Sequence, residues 1–270
     1  SDGVQYEYAA VSVASIYPIN GPVLGGTVIE LLGAEMQITD SRQLYCRFGS
    51  QDHGQIVNAV YEGAHLVTCT TPAVNTAGVV SVHIFNNDAL YSSSVAFFYE
   101  DEVQLSALHP LTGHASGGTV VTVYGSHFID VPTVYCKFGE LVSLARYIAS
   151  TQLQCVTPVG ESVGSVSVEV TLNDQDYSAG GASLLFEYQI EAHIVSLSPS
   201  KGPIEGGTFV NVSGELFAER SALLGYIYCM FNSSNVPAKW VSSSELHCVS
   251  PQHTAGVVTV EVTRNDQHYT

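Results

Sequence analysis

The segment Pro18-Ile19-Asn20-Gly21-Pro22-Val23-Leu24-Gly25-Gly26-Thr27 decides the fold, because its pattern is written three times in the chain. The pattern is Pro-x-x-Gly-x-x-x-Gly-Gly-Thr, and it returns over residues 110–119 and 199–208. The three leading prolines lie 92 and 89 residues apart. A pattern that returns at such an interval indicates tandem copies of one folding unit.

Further columns recur at matched spacing downstream of each opening segment. Every copy has a Cys-x-Phe segment, then a second cysteine followed three residues later by proline, and then an Asn-Asp pair. These columns are Cys46/Phe48, Cys136/Phe138 and Cys229/Phe231, then Cys69/Pro72, Cys155/Pro158 and Cys248/Pro251, and finally Asn87-Asp88, Asn173-Asp174 and Asn265-Asp266. So many matched columns identify three copies of one unit.

The segments between these columns alternate apolar and polar residues with a period of two. After the first Gly-Gly-Thr, Ile29 and Leu31 flank Glu30, and the other two copies repeat this alternation. Short alternating strands separated by Gly and Pro, in units of about 90 residues, are typical of antiparallel β-sandwiches. No stretch has a sustained helical period. The sequence therefore predicts an all-β fold.

The combined motifs resemble the IPT/TIG domain, an immunoglobulin-like module of plexin-type receptors, large extracellular repeat proteins and some transcription factors. The resemblance rests on the Gly-Gly-Thr opening, the Cys-x-Phe-Gly turn, the Cys-x-x-Pro segment and the closing Phe-x-Tyr, and it covers nearly the whole chain. Asn232 departs from the pattern, because the other copies have Gly49 and Gly139 there. The resemblance implies tandem sandwiches used for adhesion, spacing or protein recognition, without catalytic residues.

The repeat columns divide the chain into four segments. Residues 1–10 are expected to be an orphan last strand, 11–100 the first repeat, 101–190 the second, and 191–270 a third repeat that lacks its last strand. The joins at 9–17, 100–109 and 189–198 contain alternating apolar residues and no Gly/Ser run. We therefore expect each join to include the first strand of the next repeat, which gives a stiff, rod-like array.

The six cysteines fall two to a repeat. Six cysteines allow 15 pairings, of which the repeat selects Cys46–Cys69, Cys136–Cys155 and Cys229–Cys248. Each bond closes a loop of about 20 residues, for which chain-entropy estimates give roughly 3 kcal/mol. Metal ligation needs short Cys-x-x-Cys spacing, which the sequence lacks, so we expect no metal and no cofactor. Structural disulfides predict a secreted or cell-surface protein.

Two Asn-x-Ser triplets agree with an extracellular location. Asn211 begins Asn-Val-Ser on the polar face of a predicted strand, and Asn232 begins Asn-Ser-Ser in a predicted turn. Both positions are expected to expose the asparagine, as N-linked glycosylation requires.

Composition excludes several function classes. The 270 residues include 8 Lys and Arg against 25 Asp and Glu, giving a net charge of −17, which argues against nucleic-acid binding. Hydrophobic residues make up 46% of the chain, so a large core is expected and disorder is excluded. No window approaches 18 uninterrupted apolar residues, so no membrane span is expected in this segment.

No pattern indicates an enzyme. The Gly-Gly-Thr segment precedes a strand and lacks the Gly-Lys-Ser/Thr ending of a phosphate loop. No Gly-x-Ser-x-Gly elbow is present. Calcium at Asp174 and Asp176, or at Asp101 and Glu102, stays open, although each pair supplies too few oxygens on its own.

The two ends of the chain are out of phase with the repeats. Val4, Tyr6 and Tyr8 have the pattern of a last strand, whereas the third copy stops before its own last strand. Placing one chain after another would again separate the leading prolines by 89 residues. We therefore expect a donated strand anchored by Val4, Tyr6 and Tyr8, which pairs with an acceptor core that includes Val258, Val260 and Val262.

Three functions remain in order of preference. The first is an extracellular structural protein whose partner is itself, joined head to tail into a glycosylated filament. The alternative is a ligand-binding or adhesion segment of a plexin-like receptor or adhesin, with a protein or glycan ligand. An accessory module of a secreted glycan-degrading enzyme comes third. A fragment, or one period of a longer polypeptide, would also explain the phase of the ends.

Overall fold

The computed structural model describes residues 12–34, 44–50, 52–86, 89–90, 93–178 and 184–270. Almost every regular element in these ranges is a strand, which confirms the predicted all-β class. The first repeat contains β1 (Ser12–Tyr17), β2 (Asn20–Pro22), β3 (Val28–Ala34), β4 (Leu44–Phe48), β5 (Gln55–Gly63), β6 (Leu66–Thr70), β7 (Gly78–Asn86), β8 (Ala89–Leu90) and β9 (Val95–Glu100).

The second repeat has nearly the same order, and the third has the same central strands with a helix and one divided strand. The second contains β10 (Gln104–His109), β11 (Thr112–His114), β12 (Val120–Ser126), β13 (Tyr135–Phe138), β14 (Leu141–Ala149), β15 (Gln152–Val156), β16 (Gly164–Thr171) and β17 (Leu185–Gln189). The third contains β18 (His193–Ser198), β19 (Phe209–Glu215), α1 (Glu219–Leu223), β20 (Tyr228–Phe231), β21 (Ser234–Pro237), β22 (Lys239–Ser242), β23 (Glu245–Val249) and β24 (Val260–Thr263). The first strand of each repeat lies in its join, as expected.

Each of the first two sandwiches is built from one continuous path of paired strands that contributes to both layers. In the first repeat the order is β1-β3-β6-β5-β4-β7-β9-β2, and the second repeat has the equivalent order β10-β12-β15-β14-β13-β16-β17-β11. The last strand closes this path, because β9 pairs antiparallel with β7 and β2 pairs parallel with β9. The strand β5 pairs with both β4 and β6 and so belongs to both layers.

In the third repeat the strands form two separate sheets, whereas each of the first two repeats has one continuous path of paired strands. Its equivalent of β5 is interrupted after Pro237, which gives β21 and β22 on either side of Ala238. Proline lacks the N–H group that a continuous ladder needs. The layers are therefore separate sheets, with strand orders β18-β19-β23-β22 and β21-β20-β24.

Because apolar and polar residues alternate, one side of each strand faces a core. A disulfide then connects the two layers of each sandwich. Ile29 and Leu31 are fully buried on β3. Cys46–Cys69 connects β4 to β6, and Cys136–Cys155 and Cys229–Cys248 make the equivalent bonds, which are the pairs that the repeat selects. All six cysteines are bonded.

The short helix α1 departs from the predicted all-β pattern. The helix α1 contains only five residues, too few for a helical period to appear in the sequence. Tertiary contacts hold it: Arg220 Nε lies 2.9 Å from Glu187 Oε2, and Ser221 Oγ donates to Gln189 Oε1 at 3.1 Å.

The described chain forms two compact units. The first comprises Ser1–Gln104, Ser126–Tyr135 and Val170–Ala179, and the second comprises Leu105–Gly125, Cys136–Glu169 and Gly180–Thr270. The first unit therefore includes a loop of the second repeat, and the second unit includes the loop that ends the third repeat. The candidate site lies in these two loops.

Candidate functional site

The Gly-Gly-Thr segment forms a tight turn that presents a threonine at the start of a strand. Gly25 and Gly26 have φ values of 69° and 95°, and the Gly26 N–H donates to the Thr71 carbonyl at 2.9 Å. A Cβ atom on Gly25 would lie 2.6 Å from the Thr71 carbonyl oxygen, so only glycine fits. The turn leads into β3, as expected for a structural turn.

A loop with the sequence Leu172-Asn173-Asp174-Gln175-Asp176 packs on this turn within the first unit. Its shape comes from Asn173, whose Oδ1 accepts the backbone N–H groups of Gln175 at 3.0 Å and Asp176 at 2.8 Å. The left-handed conformation of Asp174, with φ of 62°, reverses the chain. Hydrogen bonds to its own asparagine therefore shape the loop.

Two acidic side chains lie at the contact. Asp176 Oδ2 accepts from Thr27 Oγ1 at 2.6 Å and from Asn173 Nδ2 at 2.7 Å. Glu100 Oε2 accepts from Asn20 Nδ2 at 2.7 Å, and the same Nδ2 donates to the Leu172 carbonyl at 3.3 Å. Asn20 is 1% exposed and Glu100 is 6% exposed, so this part of the contact is buried, whereas Asp176 is half-buried.

Gln175 adds a pair of backbone contacts at the edge of the turn. Its Oε1 accepts the Val28 N–H at 3.1 Å, and its Nε2 donates to the Val28 carbonyl at 2.9 Å. The amide side chain thus bonds to both backbone groups of one strand residue, as a neighbouring strand would.

The second unit contains the same arrangement with different chemistry. Gln267 bonds to both backbone groups of Val120 at 2.7 and 2.8 Å, and Asn265 Oδ1 accepts the His268 N–H at 3.0 Å. The position of Asp176 is taken by His268, whose Nε2 lies 3.1 Å from Thr119 Oγ1. The position of Glu100 is taken by Gln189.

Burial and charge shift the acid–base behaviour of these groups. Burial raises the pKa of Glu100 to about 7, an effect that the hydrogen bond from Asn20 opposes and the charge of Asp176 reinforces. Burial lowers the pKa of His268, and His114, whose ring centroid lies 5.6 Å away, lowers it further. The contact of the first loop therefore includes a carboxyl group with a raised pKa, and the second loop carries an imidazole with a lowered pKa.

The third repeat has an open groove at the place of the closing strand. In the first repeat this place is filled by Phe97 and Tyr99, both fully buried, and in the second by Phe186 and Tyr188. The groove has a volume of about 510 Å³, and its lining includes Pro199, Pro203, Phe231, Pro251, Val258 and Val260.

Only some of the predicted assembly residues line this groove. Val258 and Val260 line it, whereas Val262 is 1% exposed in the core of the third repeat. Val4, Tyr6 and Tyr8 lie outside the described residues. The pairing of these two sets stays a prediction.

The two predicted glycosylation sites differ in exposure. Asn232 is exposed in the turn after β20, with φ of 56°, and its backbone N–H donates to the Thr259 carbonyl. Asn211 is half-buried on β19, and its Oδ1 is buried without a hydrogen-bond partner.

The calcium alternative gains no geometric support from these loops. Asp176 uses its Oδ2 for Thr27 and Asn173, while Asp174 is exposed. Across the described ranges, no three His, Cys, Asp or Glu side chains converge as metal ligands would. No helix in the described part of the chain has the length and apolar character to span a bilayer.

Sequence reasoning missed the docking function of the loops. It identified the Asn-Asp pair as a repeat column but not Gln175 and Gln267, which make the backbone contacts. The available signal was the shared triplet Asn-Asp-Gln at 173–175 and 265–267, where the first repeat has Asn-Asp-Ala.

Comparison with known proteins finds similarity to plexins and to fibrocystin-L. Plexin-2 of Caenorhabditis briggsae is 28% identical over 244 residues, which are 87% of this chain and 13% of that protein. Fibrocystin-L of Homo sapiens is 27% identical over 191 residues, 69% of this chain and 4% of that protein. A solved structure of the plexin A4 extracellular region aligns with a TM-score of 0.49 at 20% identity, over 94% of this chain and 22% of that chain. The chain spans a small part of these relatives.

The family itself is identified by a match to most of the chain. A family model described as the IPT/TIG domain matches residues 12–99, 104–188 and 192–270, one match for each repeat. Structural disulfides persist in oxidising compartments, and the chain is extracellular, at the cell surface. With three matches in tandem, the chain belongs to the IPT/TIG domain family.

Proposed function

We propose that the chain is a protein-binding segment of a plexin-like cell-surface receptor. The observation that carries this proposal is the similarity to Plexin-2 along 87% of the chain, together with three tandem IPT/TIG matches. The docked loops support it, because they give the repeats defined contacts rather than flexible tethers. The predicted rod-like array is part of the proposal.

The second repeat offers a surface suited to a protein partner. On β14, Val142, Leu144 and Ile148 point to the same face and are 45%, 65% and 41% exposed. By alignment on the aromatic columns Tyr61 and Tyr147, the two repeats place their aliphatic residues differently on this face. The first repeat has Ile56, Asn58, Val60 and Glu62 where the second has Val142, Leu144, Arg146 and Ile148. Val142 and Leu144 are neighbours on this face, and the exposed Arg146 separates them from Ile148. A stripe that combines exposed aliphatic side chains with an arginine has the composition of a protein-recognition surface.

A binding screen against purified extracellular proteins tests this function. The full chain is displayed as a multimer, and the Leu144→Lys variant is screened beside it, with Asn58→Lys as the matched control. We expect a partner that binds wild type and Asn58→Lys but loses at least tenfold in affinity with Leu144→Lys. Binding that is equal for all three chains, or binding to glycans alone, would contradict a protein site on this stripe.

A second candidate function is the head-to-tail filament. The open groove of the third repeat favours it, because the equivalent position in the other repeats is filled by an aromatic-x-aromatic strand. A strand with the spacing of Val4, Tyr6 and Tyr8 has the pattern that such a groove accepts. Sedimentation velocity tests it: the full chain should form concentration-dependent oligomers that deletion of residues 1–10 abolishes. A monomer at all concentrations rejects the filament and leaves the receptor proposal standing.

Glycosylation is part of both candidates. Asn232 is the better acceptor, because it is exposed in a turn, whereas the side chain of Asn211 is half-buried within a sheet. Secretion from eukaryotic cells followed by glycopeptide mass spectrometry should give higher occupancy at Asn232 than at Asn211. Equal occupancy would show that the buried Oδ1 of Asn211 does not restrict the acceptor.

A further inference from the structure

The two docked loops carry different ionisable groups at matched positions. In the first unit Asp176 lies on the Gly-Gly-Thr turn and Glu100 ends the closing strand. In the second unit His268 and Gln189 take these two positions. The remaining contacts are shared, because Gln175 and Gln267 make the same pair of backbone hydrogen bonds.

The first unit brings two carboxyl groups together, one buried on Glu100 and one half-buried on Asp176. Glu100 is packed between β2 and the loop, where the groups that face it are the Asn20 amide and the charged Asp176. Asp176 in turn faces the Thr27 hydroxyl and the Asn173 amide, which are both fully buried. No positively charged side chain acts on Glu100 within the described residues, so ionising both groups places like charges together.

The second unit holds a pair of imidazoles instead. The rings of His114 and His268 stack with centroids 5.6 Å apart and planes 24° apart. The charged groups around them are Glu191, whose Oε2 lies 3.8 Å from His114 Nε2, and Arg264, which lies on the same loop as His268. Burial and the neighbouring His114 disfavour a positive charge on the His268 imidazole, whereas Glu191 favours it.

We propose that acidification acts on the two docked loops in opposite directions, tightening the loop at 172–177 and loosening the loop at 264–269. Protonation of Glu100 removes its repulsion with Asp176 while its neutral carboxyl stays buried. Protonation of His268 places a positive charge at a half-buried position that is stacked on the His114 ring. One chain thus contains two equivalent contacts with reversed responses to pH.

The pH window of the first loop follows from the direction of its shift. Burial raises the pKa of Glu100 from 4.5 to about 7, so between these values the folded chain binds a proton that the unfolded chain does not. Stability at this contact therefore rises as the pH falls from 7 toward 4.5.

The stability of the second loop depends on pH in the opposite direction. Burial and the neighbouring His114 lower the pKa of His268 below its ordinary value of 6.5, an effect that Glu191 opposes. The unfolded chain binds a proton first as the pH falls through 6.5, so stability at this contact is lost on acidification.

Hydrogen exchange on the full chain tests the proposal at pH 7.5 and 5.5, after correction for intrinsic exchange rates. Matched probes are the Ser178 amide, bonded to the Val170 carbonyl, and the Thr270 amide, bonded to the Val262 carbonyl. On acidification, protection at Ser178 should rise about tenfold and protection at Thr270 should fall. Changes in the same direction at both amides would overturn the proposal with the wild-type chain alone.

Two variants assign the responses to their residues. Glu100→Gln installs the residue that the second unit has at this position, and it should remove the response at Ser178 while leaving that at Thr270 intact. His268→Gln should do the reverse. The unchanged loop reports on folding in each variant, and a response at Ser178 that persists in Glu100→Gln rejects the role of that carboxyl group.

Discussion

The Oγ1 atom of Thr27 donates a 2.6 Å hydrogen bond to Oδ2 of Asp176, which lies 149 residues later in the chain. The equivalent pair in the second unit, Thr119 and His268, is also separated by 149 residues. The threonine that ends each Gly-Gly-Thr turn thus has two functions. It shapes the turn of its own repeat, and it receives the loop of the repeat that follows.

Thr27→Val should destabilise the first unit by about 1.5–3 kcal/mol, because it removes a hydrogen bond to a charged acceptor and leaves the Asp176 oxygen poorly paired. The measurement is hydrogen exchange at the Ser178 amide together with urea denaturation. Thr208→Val is the matched control, since Thr208 is the same residue of the third turn and is half-exposed. An equal loss in both variants would locate the effect in the turn rather than in the docked loop.

Gly25→Ala should cost about 2 kcal/mol or more, whereas Gly26→Ala should cost about 1 kcal/mol. Both glycines have positive φ, but a Cβ at Gly25 would lie 2.6 Å from the Thr71 carbonyl, while a Cβ at Gly26 meets nothing within 4 Å. The difference between their unfolding free energies isolates the steric clash. Equal costs would mean that backbone strain alone decides both.

Gln175→Ala should loosen the first loop by about 1 kcal/mol, because two partly exposed hydrogen bonds to Val28 are lost. Gln267→Ala should have a similar effect on the second loop, and each variant should leave the other loop unchanged. The readout is again amide protection in the two loops. Gln104→Ala, at an exposed strand position, serves as the control and should change neither.

Sequence patterns predicted the sandwich but not the docking contacts, for a physical reason. Core positions such as Ile29 and disulfide partners such as Cys46 are fixed within one repeat, so periodicity and spacing reveal them. The Asp176 contact depends on a hydroxyl 149 residues away, and no local pattern encodes that distance. Asp176 was therefore considered as a calcium ligand, although its nearest partners are hydrogen-bond donors. Pro237 itself predicts a break in a strand, but only alignment with the continuous β5 of the first repeat shows that the break separates two sheets.

Replacing Cys136 and Cys155 together with alanine should lower the unfolding free energy by about 3 kcal/mol. The bond connects β13 to β15 and so joins the two layers of the second repeat. Its cysteines are 19 residues apart, and this loop length determines how much chain entropy the bond removes from the unfolded state. Removing Cys46 and Cys69, which are separated by 23 residues, should have nearly the same effect because the entropy term grows only with the logarithm of loop length. Denaturation of each double variant in urea gives the two differences. A loss much below 1 kcal/mol at either site would mean that the core alone holds those layers together.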